Sequence, residues 1–265
     1  MNCYGRIGTL AESLNEDCRS LELLAFLESA SRMVDAYCER WFYTGPATLL
    51  YDGQGCALRL DDLLSVSAVQ IEGHGGEMRS IDLDKVRLIP YNRFPKWELR
   101  LREVGYPQVG EILHVTGEWG YGNGTANPWR ATSVELTLGE DDAESAAISE
   151  AATNPEDWIG RTLRVGDEQV YVESVDVDGV LGLLRGVNET EAAAHNGVMA
   201  YRALYPLTIV RAAEMLATDL WNNRDKEGFT SETLRSYTYQ RGGVETILRE
   251  RLLRILGPFW RGDRR

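Results

Sequence analysis

The spacing of apolar residues divides the chain into helix-like ends and a strand-like middle. From Asp17 to Trp41, the residues Leu23, Leu24, Phe26, Leu27, Ala30, Met33, Val34, Tyr37, Cys38 and Trp41 recur at helical spacing. They predict one amphipathic helix over about 17–41, ended by Gly45-Pro46. Its apolar face is broad enough for two partners: two elements of its own domain, or one of those and a neighbouring subunit. A second helix is predicted over 206–227. Pro206 suits its first turn, Ile209, Ala212, Ala213, Leu216, Ala217 and Leu220 form its stripe, and Gly228 supplies a left-handed stop. A third, over 244–256, carries Val244, Ile247, Leu248, Leu252 and Ile255 ahead of Pro258.

From Ala47 the period falls to two. Extended pieces begin at Thr48, Cys56, Asp61, Val86, Trp97 and Glu111, with turn chemistry at Asp52-Gly53 and Gly73 to Gly76. They predict a small antiparallel sheet. Residues 133–203 read as a separate unit. It has a strand at Val134–Leu138, a loop or short helix over Glu140–Ala152, a hairpin over Ile159–Val175 turning at Gly166-Asp167, and a further strand after Asp178-Gly179.

Composition narrows the function classes. The 265 residues are 43% hydrophobic and 26% charged, an ordinary globular balance for one large or two modest domains. A net charge of −13 argues against a non-specific grip on nucleic acid. Ser133 to Ala200 holds 15 acidic and 3 basic residues, whereas Arg241 to Arg265 holds 7 basic and 3 acidic. The acidic stretch reads as solvated surface, and the basic end as a candidate partner surface. Cys3, Cys18, Cys38 and Cys56 form no CxxC pair, and no His stands at a zinc-ligand spacing from them, so a reducing compartment and no disulfide framework are expected. No secretory signal opens the sequence, and no stretch approaches the roughly 20 apolar residues of a membrane span.

Catalytic signatures are missing. His74, His114 and His195 fall in a Gly-rich turn, a strand and a loop, none beside a Ser or Cys nucleophile pattern. A hydrolase built on His114 or His195 therefore finds no support. Asp61-Asp62 would point to opposite faces of a strand. Gly120-Tyr-Gly-Asn-Gly lacks phosphate-loop spacing, and Asp176-Val-Asp-Gly lacks the remaining ligands of a calcium loop. No metal or cofactor is expected.

Two sets of motifs resemble bacteriophage structural proteins. Leu184 to His195, LRGVNETEAAAH, is similar to the RGxNGT-x-AAxH segment of small phage β-modules, with Glu189 standing where that pattern has Gly, and it is preceded, as there, by a G-x-E-x-hydrophobic-x-V hairpin, here Gly166-Asp-Glu-Gln-Val-Tyr-Val. Arg185, Asn188, Thr190 and His195 form its polar group, read as holding a loop through hydrogen bonds. The second set is ordered along the chain: Trp41-Phe-Tyr, Leu58-Arg-Leu-Asp, Leu63-Leu-Ser-Val, Pro90 to Pro95, Val115 to Tyr121, the Ala-rich helix from Pro206, and Ser231-Glu through Ser236-Tyr. Together these resemble the head–tail connector (adaptor, or head-completion) proteins of tailed phages, over most of residues 18–132 and 204–256.

The resemblance implies an α+β fold: a helical connector-type domain with a small antiparallel β-sheet (1–132 and 204–265), plus an inserted acidic β-rich domain (133–203). It implies a structural virion protein without enzymatic activity, forming a ring of about twelve subunits below the portal. DNA would pass through the lumen without sequence-specific binding, and partners would be the portal and a tail or stopper protein. The protein would be made in the host cytoplasm and reside at the capsid vertex. Arg249, Arg251, Arg254, Phe259, Trp260, Arg261, Arg264 and Arg265 are the expected portal or neighbour contacts. The alternative is a virion-surface or tail-associated binding module that uses the inserted β-domain, with Trp158 and Tyr171 as its anchors if exposed; the preferred reading of these two aromatics is that they fill the core of the small domain.

Overall fold

Local chemistry sets the helices. The computed structural model describes residues 2–55, 57–224, 231–234, 237–240 and 250–262. Helix α1 (Ile7–Leu14) buries Ile7, Leu10 and Ala11 and stops at Asn15 in the left-handed region. The sequence reading missed it. Helix α2 (Leu21–Cys38) starts where the Ser20 side chain accepts the Leu23 N–H, and it stops at left-handed Glu39. Gly45-Pro46 therefore opens the first strand instead of ending the helix.

The middle of the chain is strand. The strands are β1 (Gly45–Asp52), β2 (Leu58–Glu72), β3 (Met78–Ser80), β4 (Val86–Ile89), β5 (Lys96–Leu101), β6 (Ile112–Trp119) and β7 (Trp129–Leu138). Beyond the short helix α3 (Ser149–Thr153) come β8 (Thr162–Val165), β9 (Glu168–Val175), β10 (Leu181–Leu184) and β11 (His195–Ala203). Helix α4 (Leu207–Asn223) and the hairpin β12 (Ser231–Leu234) and β13 (Tyr237–Gln240) follow. The first sheet has the order β1-β6-β2-β5-β4 with β3 on β2, and the second β10-β9-β8-β11-β7; all pairs are antiparallel.

This corrects the expected fold class. The chain is β-rich, with two antiparallel sheets of six and five strands, and is not a helical connector-type domain carrying a small sheet. One physical reason lies in β2. The pieces read as starting at Cys56 and Asp61 are a single strand of 15 residues, continuous through Asp61-Asp62. It can pair with both β6 and β5 because register shifts near Leu63 and Val66 bend it. Gly117 sits opposite that bend, where an added Cβ would run into the Ser65 carbonyl.

Three cores hold the layers. The first sheet packs Leu58, Leu60, Leu63, Val69, Ile71, Leu99, Leu113, Val115 and Trp119 together. The second sheet shares its core with the helices: Leu23, Leu27 and Ala30 of α2 and Ala217 and Trp221 of α4 meet Leu163, Val170, Tyr171 and Val172. Residues 133–203 thus bury their apolar face against elements from both ends of the chain. A third cluster joins Tyr4, Val34, Cys38, Phe42, Ile209, Ala212 and Ala213 to Leu252 and Leu256 of the last helical segment, over 250–256. The predicted boundaries at Gly228 and Val244 lie outside the described residues.

Candidate functional site

Two polar clusters and one apolar ridge stand out. The first cluster surrounds Glu168, the opening residue of β9, just past the turn at Gly166-Asp167. Its buried carboxylate accepts from Arg185 Nε (2.6 Å) and Nη2 (2.8 Å), and from the backbone N–H of Gly186 (3.0 Å) and Ala193 (3.1 Å). His195 Nε2 lies 2.8 Å away. Burial alone would raise the Glu168 pKa. The hydrogen bonds from Arg185, Ala193, His195 and Gly186 outweigh it, and the group is held down to about 2. Arg185 also donates to the carbonyls of Gly139, Asp142 and Ala193.

Beside this cluster, Asn188 Nδ2 donates to Gln169 Oε1 (2.8 Å) and Asn2 Oδ1 (3.1 Å). Thr190 Oγ1 accepts the Gln169 N–H and donates to the Val187 carbonyl. Gln169 Nε2 reaches the Thr44 carbonyl, at the entrance to β1. Asn188 and Glu189 both adopt positive φ, so the turn keeps a left-handed form without the glycine of the family pattern. The structure therefore brings Arg185, Asn188, Thr190 and His195 into one neighbourhood. The residue at its centre, Glu168, is the Glu of the Gly166-Asp-Glu-Gln-Val-Tyr-Val hairpin, which the sequence did not join to that polar group.

The second cluster lines a cleft of about 560 Å³ between α2 and the first sheet. Tyr4 Oη donates to Asp35, with 2.7 and 2.9 Å to its two oxygens, and Arg32 pairs with the same carboxylate at 3.1 Å. Burial nevertheless pushes Asp35 up to about 6, against the pull of Arg32 and Tyr4. Deeper in, Arg40 and Asp62 form a buried ion pair at 3.5 Å, and the Arg40 guanidinium lies over the Tyr121 ring. Asp61 faces the other way, toward Tyr51 and Arg261.

No nucleophile–base pair appears among the described residues around these clusters. His114 pairs with Glu72 and His195 with Glu168. Burial pushes the Cys3 and Cys38 thiols up to about 12, where the thiolate is scarce. No group of three or more His, Cys, Asp or Glu among the described residues could hold a metal ion. Comparisons with protein-family models, curated proteins and solved structures find no match.

The predicted tail contacts separate into two kinds. Arg251, Arg254 and Trp260 are exposed. Arg261 is half-buried and already engaged: its guanidinium binds Asp61 and the Leu60 carbonyl, and its N–H reaches the Cys38 carbonyl. Phe259 is half-buried against Phe42 and Tyr121. Both therefore make internal ties, to α2, the first sheet and the residues after them. Arg249, Arg264 and Arg265 lie outside the described residues. Trp158 and Tyr171 are buried at 4% and 0% exposure, as the core reading of these two residues expects, and so offer no anchor for a binding module.

The apolar ridge runs along α2. Leu21, Ala25, Ser29, Met33 and Tyr37 follow one another at a spacing of four, and all five are exposed. Trp41 continues the line and stacks on Tyr43. Ser29 bonds back to the Ala25 carbonyl, which leaves the middle of the ridge low and its ends large.

Proposed function

We propose that the chain is a structural subunit that assembles head to tail with copies of itself, as an adaptor of the phage head–tail connector kind. The observation that carries this reading is the exposed α2 ridge. The opposite face of α2 is fully used: Leu23, Leu27, Ala30 and Val34 are buried. A row of residues spaced by four forms a ridge of the kind that packs into a neighbouring groove. Leu21, Met33, Tyr37 and Trp41 offer apolar and aromatic area for that contact. A contact between this ridge and a different surface of the next copy is heterologous, and heterologous contacts close into rings when the rotation closes.

Charge distribution fits the same role. The acidic run Glu140, Asp141, Asp142 and Glu144 is exposed, and such a surface facing a channel repels passing DNA and favours sliding. Arg251, Arg254 and Trp260 remain as the described tail residues able to meet a portal.

The test is the double substitution Met33→Glu with Tyr37→Glu. Both positions are exposed, so the fold should persist by circular dichroism while self-association, or recruitment onto a portal, is lost. Assembly at wild-type concentration would remove the ridge from the interface.

A further inference from the structure

The second sheet contains an arrangement that the adaptor role does not use. Arg130 on β7 and Arg202 on β11 are direct cross-strand partners. Like charges placed opposite one another on an antiparallel pair are destabilising. Neither side chain makes an ion pair or hydrogen bond among the described residues. In a chain of net charge −13, two adjacent guanidiniums without an ion-paired carboxylate leave room for an anion from outside.

The surroundings are built to receive one. The ladder between β7 and β11 shifts register beside the pair: Glu135 faces Met199 and Ala131 faces Tyr201, so residues 132–134 bulge opposite Ala200. A cavity of about 250 Å³ opens there, lined by Arg130, Arg202, Ser133 and Trp158. Trp158 is 4% exposed, and its indole Nε1–H has no acceptor among the described residues. A buried N–H without an acceptor is costly unless a ligand or water meets it. Close by, Arg161 is held down to about 10, first by burial and then by the charges of Arg202 and Arg6. Glu150 and Asp157 also line the cavity, both exposed. Glu150 is engaged by Ser133 Oγ at 2.7 Å, and neither acid forms an ion pair with Arg130 or Arg202.

We propose that this cavity is an anion site for one compact phosphate group, either free phosphate or the phosphate of a small monoester. Two guanidinium forks and an indole N–H offer donors alone, which suits an oxyanion carrying several acceptor oxygens. The small volume and the two acids disfavour an extended polyanion such as DNA.

The experiment is calorimetric titration of the whole chain with inorganic phosphate, at constant ionic strength balanced by chloride. The Trp158 indole N–H resonance is followed in parallel. Saturable binding with a shift of that resonance is expected. Arg130→Gln and Arg202→Gln should each weaken binding roughly tenfold to a hundredfold, the range for one charge-assisted hydrogen bond. Arg130 is exposed, so its variant keeps the test valid if the other fails to fold. Glycerol 2-phosphate forms a second arm: tighter binding than phosphate assigns the site to a monoester, and equal or weaker binding assigns it to free phosphate. No saturable binding of either compound, binding unchanged in both variants, or an adventitious ion only, displaced by chloride at equal concentration, would overturn the site.

Discussion

The Glu168 cluster and the Arg130–Arg202 cleft belong to the same five-stranded sheet, yet they balance charge in opposite ways. Glu168 is a single anion enclosed by five donors from one loop, and it needs nothing from outside. Arg130 and Arg202 are two cations facing each other across strands, with no carboxylate among the described residues in an ion pair with either. Closed networks of the first kind hold a structure together. Open ones of the second kind sacrifice some stability and gain the capacity to bind. The contrast separates the part of the sheet that supports the fold from the part that faces a ligand.

The largest effect should follow from opening the closed cluster. Glu168→Ala leaves Arg185 buried without its partner and should cost about 3–5 kcal/mol in urea unfolding. A cost below about 1 kcal/mol would place the cluster among ordinary surface ion pairs.

Acid should produce a related effect. The folded pKa of Glu168 is lowered to about 2, below its ordinary 4.5, so its contribution is present above about pH 4.5 and is lost as pH falls through about 2. The difference corresponds to about 3 kcal/mol. Asp35 acts with opposite sign. Its folded pKa is raised to about 6, so its stabilising protonation is complete below about pH 3.8 and is lost as pH rises through about 6. Stability should therefore peak in mildly acidic solution. Asp35→Asn should flatten the limb above the peak, and Glu168→Gln the limb below it, in unfolding curves recorded at successive pH values.

Arg261→Ala is intermediate. It removes two charge-assisted bonds at the half-buried chain end and should lower stability by about 1–2 kcal/mol. The smallest effect belongs to the open pair. Without phosphate, Arg202→Gln should change stability by less than about 0.5 kcal/mol or raise it slightly, because it relieves a like-charge contact. A loss comparable with that of Glu168→Ala would erase the contrast between the two regions.

How much of this was legible in the chain depended on sequence distance. The buried faces of α2 and α4 were readable because helical spacing is local. The turn at Gly166-Asp167 was readable because strand alternation flanks it, and β8 and β9 do pair around it. The strand content was underestimated because the pieces starting at Cys56 and Asp61 read as separate, whereas they form one bent strand; Asp61 and Asp62 do face opposite ways along it, toward Arg261 and Arg40. Glu168 was visible as the Glu of a hairpin motif, but its role was not, since the donors that define it lie 17 to 27 residues away. Arg130 and Arg202 are further apart still, and only the β7–β11 register brings them face to face. In the tail, Phe259 and Arg261 looked like surface residues because nothing local announced Phe42, Tyr121 and Asp61 as their partners.

The most direct test of the assembly reading is the mass of the purified protein in solution, measured by sedimentation across a wide concentration range, with and without a purified portal. The account predicts a ring, or a monomer that becomes a ring on the portal. A monomer at every concentration, indifferent to the portal, would contradict it.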